Sequence, residues 1–162
     1  MKKMLIIGGS GGIGKEMTKL FSNNYDVLSC SSKTFDITDL NFLKDFFEEN
    51  SFDIILNASG YNYDSFIHKY TLDNIHEVDK MLDINVKGNL NLLSACLPKM
   101  RKKGYGRIIF LSSVLSTMPV AGTSVYSASK AFIDNLVKTA TLENSAKGIT
   151  CNSIQLGYFD AG

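Results

Sequence analysis

Short apolar runs alternate with segments of helical period along the whole chain. The run MLIIG near the N-terminus is brief and continuous, as fits a strand buried on both faces. From Gly12 to Asn23 the residues Ile13, Met17, Leu20 and Phe21 fall on one side of a helix. YDVLSCS predicts a second strand and TFDI a short third. Asp39 is placed to cap a helix carrying Leu40, Leu43, Phe46 and Phe47. FDIILNASG is a further buried strand that ends in small residues. Leu72 to Arg101 reads as two helices meeting near Asp83 to Asn85, with Pro98 expected to kink or loosen the end. GRIIFLSS is a strand, Ser124 to Ala146 a helix, and GITCNSIQLG the last strand. Strands alternating with helices predict an α/β fold: a doubly wound parallel sheet with helices on both faces, in a single domain spanning residues 1–162. In such sheets ligands bind at the carboxyl ends of the strands, so the strand-ending residues are the ones to read for chemistry.

Composition narrows the function classes. Hydrophobic residues make up 44%, charged residues 20%, and the net charge is +1, which predicts neither a nucleic-acid nor a membrane partner. The longest basic run, Lys99 and Arg101 to Lys103, reads as the solvated last turn of a helix. Cys30, Cys96 and Cys151 are odd in number and far apart, which argues against a disulfide framework or a zinc site and for core thiols in a reducing compartment. No apolar run approaches the ~18 residues of a membrane span. The start, MKKMLIIGGSGG, has too short an apolar part for a signal peptide, so a cytoplasmic protein is expected. His68 and His76 have no partners at metal-ligand spacing, and no metal site is expected.

The first strand runs into GGSGGIG, Gly8 to Gly14, with a helix following. A loop without side chains lets backbone N–H groups approach a phosphate, and the helix N-terminus adds partial positive charge. Two registers fit: Gly9, Gly11 and Gly14 as G-x-G-x-x-G, or Gly8, Gly12 and Gly14 as G-x-x-x-G-x-G. The second strand ends in Cys30-Ser31-Ser32-Lys33, without the carboxylate that would bind a ribose 2′-OH. Hydroxyls and a cation suit a 2′-phosphate, so NADP(H) is favoured and NAD(H) remains open. Asp36 could accept from an adenine amino group or cap the next helix, a task for which Asp39 is better placed.

Tyr126 and Lys130 sit four residues apart in SVYSASKAF, on one helical face, thirteen residues after Ser113 at its strand end. An ammonium beside a phenol is a poor packing unit but favours the phenolate. With the glycine loop in place, the chain resembles the short-chain dehydrogenase/reductase family from Lys3 onward, among them 3-oxoacyl-acyl-carrier-protein reductases. IGGSGGIG matches the family's T-G-x-x-x-G-x-G with Ile7 for threonine, which selects Gly8, Gly12 and Gly14. NASG at Asn57 to Gly60 stands for N-N-A-G, Asn85 in DINVKG matches the active-site asparagine, and YSASK matches Y-x-x-x-K. LGYFDAG matches P-G-x-x-x-T with Leu156 for proline and Ala161 for threonine.

The resemblance implies a Rossmann-like fold and hydride transfer between nicotinamide C4 and a carbonyl or secondary alcohol carbon. It implies Asn85, Ser113, Tyr126 and Lys130 as catalytic residues. By the same resemblance Tyr126 is expected to be the acid and base, with Lys130 lowering its pKa and holding the nicotinamide ribose. Ser113 is expected to bind the substrate oxygen and Asn85 to hold a relay water. The implied cofactor contacts are Gly8, Ser10, Gly12, Ile13, Gly14, Ser32, Lys33, Asp36, Ile37, Asn57, Ala58, Ser59, Gly60, Tyr126, Lys130, Gly157 and Phe159. Asn57 is expected to support the helix bearing Asn85, and Ser112 to support backbone. The implied partners are a small carbonyl or alcohol substrate, free or carrier-bound, and further copies of the chain in a homodimer or homotetramer.

Two departures from the family bear on function. The helix between the second and third strands is reduced or missing, and the chain is expected to be truncated before the family's C-terminal lid and last strand. Two other functions compete with the reductase: a dinucleotide-binding module without turnover, acting as sensor or interaction partner, and a nucleotide-sugar epimerase or dehydratase, which needs a sizeable C-terminal domain.

Overall fold

The computed structural model describes residues 1–158. Its strands are β1 (Lys3–Ile7), β2 (Asp26–Cys30), β3 (Ile54–Asn57), β4 (Gly106–Ser113) and β5 (Ile149–Leu156). The helices are α1 (Gly12–Phe21), α2 (Leu40–Glu49), α3 (Ile75–Leu82), α4 (Asn89–Lys103) and α5 (Ser124–Asn144). All strand pairings are parallel, in the order β2-β1-β3-β4-β5. The order reverses at β1, which lies between β2 and β3, and this switch point opens a crevice at the carboxyl ends of β1 and β3.

Alternation along the strands divides the core in two. Leu5 and Ile7, Ile55, Ile108 and Phe110, and Ile149 and Cys151 pack in one large cluster with residues of α2, α4 and α5. Met4, Ile6, Leu56 and Leu111 point the other way, where Ile13, Met17 and Phe21 of α1 cover them. Helices therefore lie on both faces, with α2, α4 and α5 on one and α1 on the other. Beyond α1 the thinly covered face holds a groove of about 360 Å³ that includes Ile109 and Ile154.

Several expected elements take a different form. TFDI is not a strand. Phe35 and Ile37 are buried, and Phe35 meets Phe42, Phe46 and Phe47 edge-on beneath α2. Asp36 accepts from the Thr38 amide (2.8 Å) and hydroxyl (2.7 Å), which turns the chain before a ladder can form. Leu20 leaves the buried stripe of α1 and is 61% exposed, because the stripe centres on Met17 and Phe21. Pro98 lies inside α4, and the helix continues five residues to Lys103 before Gly104, at φ +73°, ends it. Packing of Leu92, Leu93 and Cys96 before the proline and Met100 after it carries the helix through the missing hydrogen bond. The joint between α3 and α4 falls where expected, as a π-helical turn over Asp83–Gly88 rather than a break. Asp39 caps α2, its Oδ1 accepting from the Phe42 amide at 3.0 Å. Cys96 and Cys151 are buried, whereas Cys30 is half-buried. Among the described residues no helix is long and apolar enough to cross a membrane, and no cluster of His, Cys, Asp and Glu could hold a metal.

Candidate active site

The glycine loop is shaped by contacts that admit no side chain. Gly8 has φ +84°, and a Cβ there would lie 2.8 Å from the Ala58 carbonyl carbon. A Cβ on Gly14, in the first turn of α1, would lie 2.2 Å from the Gly8 carbonyl oxygen. The amides of Gly8 and Gly9 both donate to the Cys30 carbonyl, at 2.9 and 2.8 Å, and tie the loop to the end of β2. Gly8, Ser10, Ser32, Asp36, Ile37, Ala58, Ser59 and Gly60 converge on one cleft of about 230 Å³ at the switch point. Gly12 and Gly14 lie behind it in the first turn of α1, and Lys33 is exposed at the exit of β2.

A second cleft, of about 330 Å³, adjoins the first and shares Ala58, Ser59 and Gly60 with it. Ile13, Ser113, Tyr126, Lys130 and Gly157 line it, so residues from β4, α5 and the end of β5 meet those after β1 and β3. Tyr61, Asn62, Leu111, Ser112 and Leu156 complete the wall. Phe159 lies outside the described residues.

A chain of amides holds the second cleft. Asn57 Oδ1 accepts from the Ser59 amide (3.0 Å) and hydroxyl (2.6 Å), and its Nδ2 donates to Asn89 Oδ1 at 2.7 Å. Asn89 Nδ2 donates to the Asn85 carbonyl at 2.5 Å. Asn85 Oδ1 accepts from the Tyr61 amide at 2.9 Å, and its Nδ2 donates to the Tyr61 carbonyl (2.8 Å) and to Ser129 Oγ (3.1 Å). Ser129 Oγ in turn donates to the Tyr126 carbonyl at 2.7 Å. The end of β3, the π-turn and α5 are thereby one framework, and a buried network of this kind fixes geometry when every member is satisfied. Ser112 Oγ donates to the Lys130 carbonyl at 3.3 Å, a backbone-supporting contact.

Electrostatics in the cleft are governed by burial. Lys130 is 5% exposed, and its Nζ donates to the Leu111 carbonyl at 2.9 Å. Burial lowers its pKa to about 8, against an opposing pull from the Asp134 carboxylate. Tyr126 departs from expectation. Burial raises its pKa, the Ser113 hydroxyl beside it acts in the opposite sense, and the charges of Asp64 and Tyr158 raise it further. The Lys130 ammonium donates to the Leu111 carbonyl and lies 5.5 Å from the Tyr126 ring centre. Tyr61 is anchored as well: its hydroxyl donates to Glu77 Oε2 at 2.5 Å, and Lys80 Nζ lies 3.9 Å from its ring centre.

Three residues of this framework carry no signature of their own in the sequence: Asn89, Ser129 and Asp134. Asn89 lies four residues after Asn85 and Asp134 four after Lys130, and that helical spacing was the available signal.

The donor set suits a dinucleotide: a glycine-rich cradle at a helix N-terminus, followed by a buried ammonium and a phenol. Comparisons with known proteins give the family and the fold. The short chain dehydrogenase family model matches residues 31–162. An uncharacterised oxidoreductase of Staphylococcus epidermidis is 36% identical over 108 residues, covering 67% of this chain and 46% of the relative. A 3-oxoacyl-acyl-carrier-protein reductase of Rickettsia felis is 30% identical across 97% of this chain and 72% of its own length. The NADPH-bound structure of a tyrosine-to-phenylalanine variant of ElxO superposes with a TM-score of 0.87 at 22% identity, covering 99% of this chain and 75% of that one. The chain spans about half the length of the first curated relatives it matches. On the family match and the fold together, this chain belongs to the short-chain dehydrogenase/reductase family.

Proposed function

We propose that this chain is an oxidoreductase that uses NADP(H) in preference to NAD(H) and acts on a carbonyl or secondary alcohol, with Tyr126 as acid and base. One observation carries the reading: Ser113, Tyr126 and Lys130 face a single cleft that is continuous with the glycine cradle through Ala58, Ser59 and Gly60. The nicotinamide cofactor, when bound, supplies or accepts the hydride. The chain's own residues bind, orient and move the proton. Backbone amides of the Gly8–Gly14 loop serve the pyrophosphate. Ser32 and Lys33 stand at the exit of β2, where a 2′-phosphate needs hydroxyls and a cation, and Asp36 and Ile37 flank the adenine side. Lys130 serves the nicotinamide ribose, Ser113 holds the substrate oxygen, and Tyr126 exchanges a proton with it. Asn85 acts from behind, holding Tyr61 and, through Ser129, the carbonyl of Tyr126.

Burial raises the Tyr126 pKa, and a protonated phenol is the form that gives a proton to a carbonyl oxygen. The names of the relatives support an oxidoreductase, one of them acting on a carrier-bound substrate, and the NADPH-bound neighbour supports the cofactor class. We extend the reading to a homo-oligomer built on the faces of α4 and α5.

The test is turnover. The chain is mixed with NADPH or NADH and a panel of small ketones and aldehydes, and loss of reduced cofactor is followed. Oxidation of NADPH faster than NADH, lost in Tyr126→Phe while NADPH binding persists, is the expected result. Turnover that survives in Tyr126→Phe overturns the acid/base assignment. Binding without turnover of any carbonyl makes the chain a dinucleotide-binding module instead.

A further inference from the structure

Asp134 lies one helical turn beyond Lys130 on α5 and is 8% exposed. Its Oδ2 accepts from Ser116 Oγ at 2.6 Å and from Gln155 Nε2 at 2.8 Å, and its Oδ1 accepts from Ser153 Oγ at 2.7 Å. Gln155 Nε2 also donates to Ser116 Oγ at 3.0 Å, closing the ring. Ser116 belongs to the 3₁₀ turn Val114–Ser116 that leaves β4, while Ser153 and Gln155 belong to β5. Three elements therefore meet at one carboxylate.

The strand register gives this meeting its consequence. Ser112 pairs with Gln155 and Ser113 with Leu156, and Leu156 and Gly157 then line the cleft beside Tyr126 and Lys130. β5 is the edge of the sheet among the described residues, so its last residues have a strand on one side only. Side-chain bonds to Asp134 supply an attachment there that no second ladder provides. We infer that Asp134 is a positioning residue of the cleft: its carboxylate clamps the turn after β4 and the free edge of β5 to α5, and it sets a fixed negative charge one helical turn from Lys130.

The charge is held in place by its donors. Burial alone would raise the Asp134 pKa, but the hydrogen bonds from Ser116, Ser153 and Gln155, with Ser112 adding to them, hold it below the usual carboxylate range. The carboxylate is thus ionised at neutral pH and opposes the burial that lowers the Lys130 pKa. The other ionisable groups at the cleft are Tyr126 on α5, Tyr61 on the segment after β3, and Asp64 and Tyr158, which act on Tyr126. An acid that merely filled space would leave Lys130 untouched when replaced by its amide. A clamping charge would not.

The experiment reads both parts without substrate. The 162-residue chain is labelled with 13C-lysine, Lys130 is assigned by its loss in Lys130→Arg, and its side chain is titrated by NMR. Asp134→Asn is expected to move the Lys130 midpoint down by roughly 0.5–1 pH unit, and Asp134→Glu to restore it. Amide exchange over Ser153 to Leu156, the end of β5, is expected to quicken at least ~10-fold in Asp134→Asn, the loss of about 1.4 kcal/mol of local protection. A midpoint and exchange rates unchanged in Asp134→Asn overturn the proposal. Should that variant not fold, Gln155→Leu removes one clamp bond from the edge strand. Faster exchange over Ser153 to Leu156 then supports the clamp, and unchanged exchange overturns it. The relevance to turnover rests on the function proposed above. A chain that shows both effects yet oxidises no NADPH keeps the clamp and loses the reductase. A chain that turns over with neither effect loses the clamp alone.

Discussion

At the end of β1 the strand-end cleft is shaped by glycines that admit no Cβ, and between β4 and α5 it is lined by functional side chains. The first half is shaped by exclusion: Gly8 and Gly14 sit where any Cβ would strike backbone, which cannot swing aside as a side chain can. The second half is shaped by placement. Ser113, Tyr126 and Lys130 each carry a functional group into the space, and the chain from Asn57 through Asn89, Asn85 and Ser129 ends on the Tyr126 carbonyl. Damage to the first half should therefore appear in fold and binding together, and damage to the second in chemistry with binding intact. The largest effect is expected in the second half. Tyr126→Phe deletes one hydroxyl and should lower turnover by about 10²–10⁴-fold, with the dissociation constant for NADPH within a few-fold of the parent, as measured by fluorescence titration. If the variant loses binding in the same proportion, the two halves are not separable and the comparison fails.

Gly14→Ala is the counterpart in the first half. The added methyl would lie 2.2 Å from the Gly8 oxygen and 2.7 Å from the Gly9 Cα, both backbone atoms. Relieving that contact requires the loop or the first turn of α1 to shift. The expected cost is about 3 kcal/mol or more in urea unfolding, with NADPH binding lost in parallel. A variant as stable as the parent but unable to bind would show that the loop is tuned to the ligand rather than to the fold.

What could be read before folding follows the same division. The apolar strand runs, the Asp39 cap, the glycine loop and the Tyr126/Lys130 spacing are local patterns, and the structure places each of them where the pattern put it. TFDI misleads because Phe35 and Ile37 alternate as a strand does, while two buried side chains flanking a tight Asp36 turn produce the same pattern. Pro98 misleads because tertiary packing on both sides outweighs one lost hydrogen bond. The Asn57–Asn89 contact joins residues 32 apart in the chain, and the Asp134 clamp joins residues 18 to 21 apart. Contacts of that span depend on topology, which spacing along the chain does not encode. The sign of the Tyr126 shift was hidden for a related reason: it is a balance between burial and charge, and only charge is visible in a sequence.

The buried ammonium of Lys130 makes the second half sensitive to pH in a way the glycine half is not. Its pKa is lowered from 10.5 to about 8 in the folded chain. Between those values the unfolded chain binds more protons than the folded one, so stability rises with pH across that window and is independent of this group below it. Relative to Lys130→Met, which carries no titrating group, the parent should gain up to about 3 kcal/mol as pH rises from 8 to 10.5. Urea denaturation of both proteins across that range reads the difference directly. A flat difference would mean that Lys130 is solvated in the folded chain, and the side-chain half of the cleft would then be more open than its burial indicates.

The smallest effect comes from a residue outside both halves, and it tests whether they are as independent as their construction implies. Asp39 Oδ1 accepts from the Phe42 amide and satisfies one of the free donors at the start of α2. Asp39→Ala should cost about 1 kcal/mol, or a fall of about 2–4 °C in Tm. The residue lies three positions after Asp36 and two after Ile37, both of which line the glycine-side cleft. Yet Phe35 and Ile37 are anchored in the core under α2 by their own side chains, and Asp36 is turned by its bonds to Thr38. The cradle should therefore be unmoved, and NADPH affinity should match that of the parent within error. A weakened affinity at this modest loss of stability would mean that the start of α2 sets the position of Asp36. The glycine half would then depend on side-chain bonds as the other half does, and the distinction between a cleft made by exclusion and one made by placement would have to be redrawn at β2.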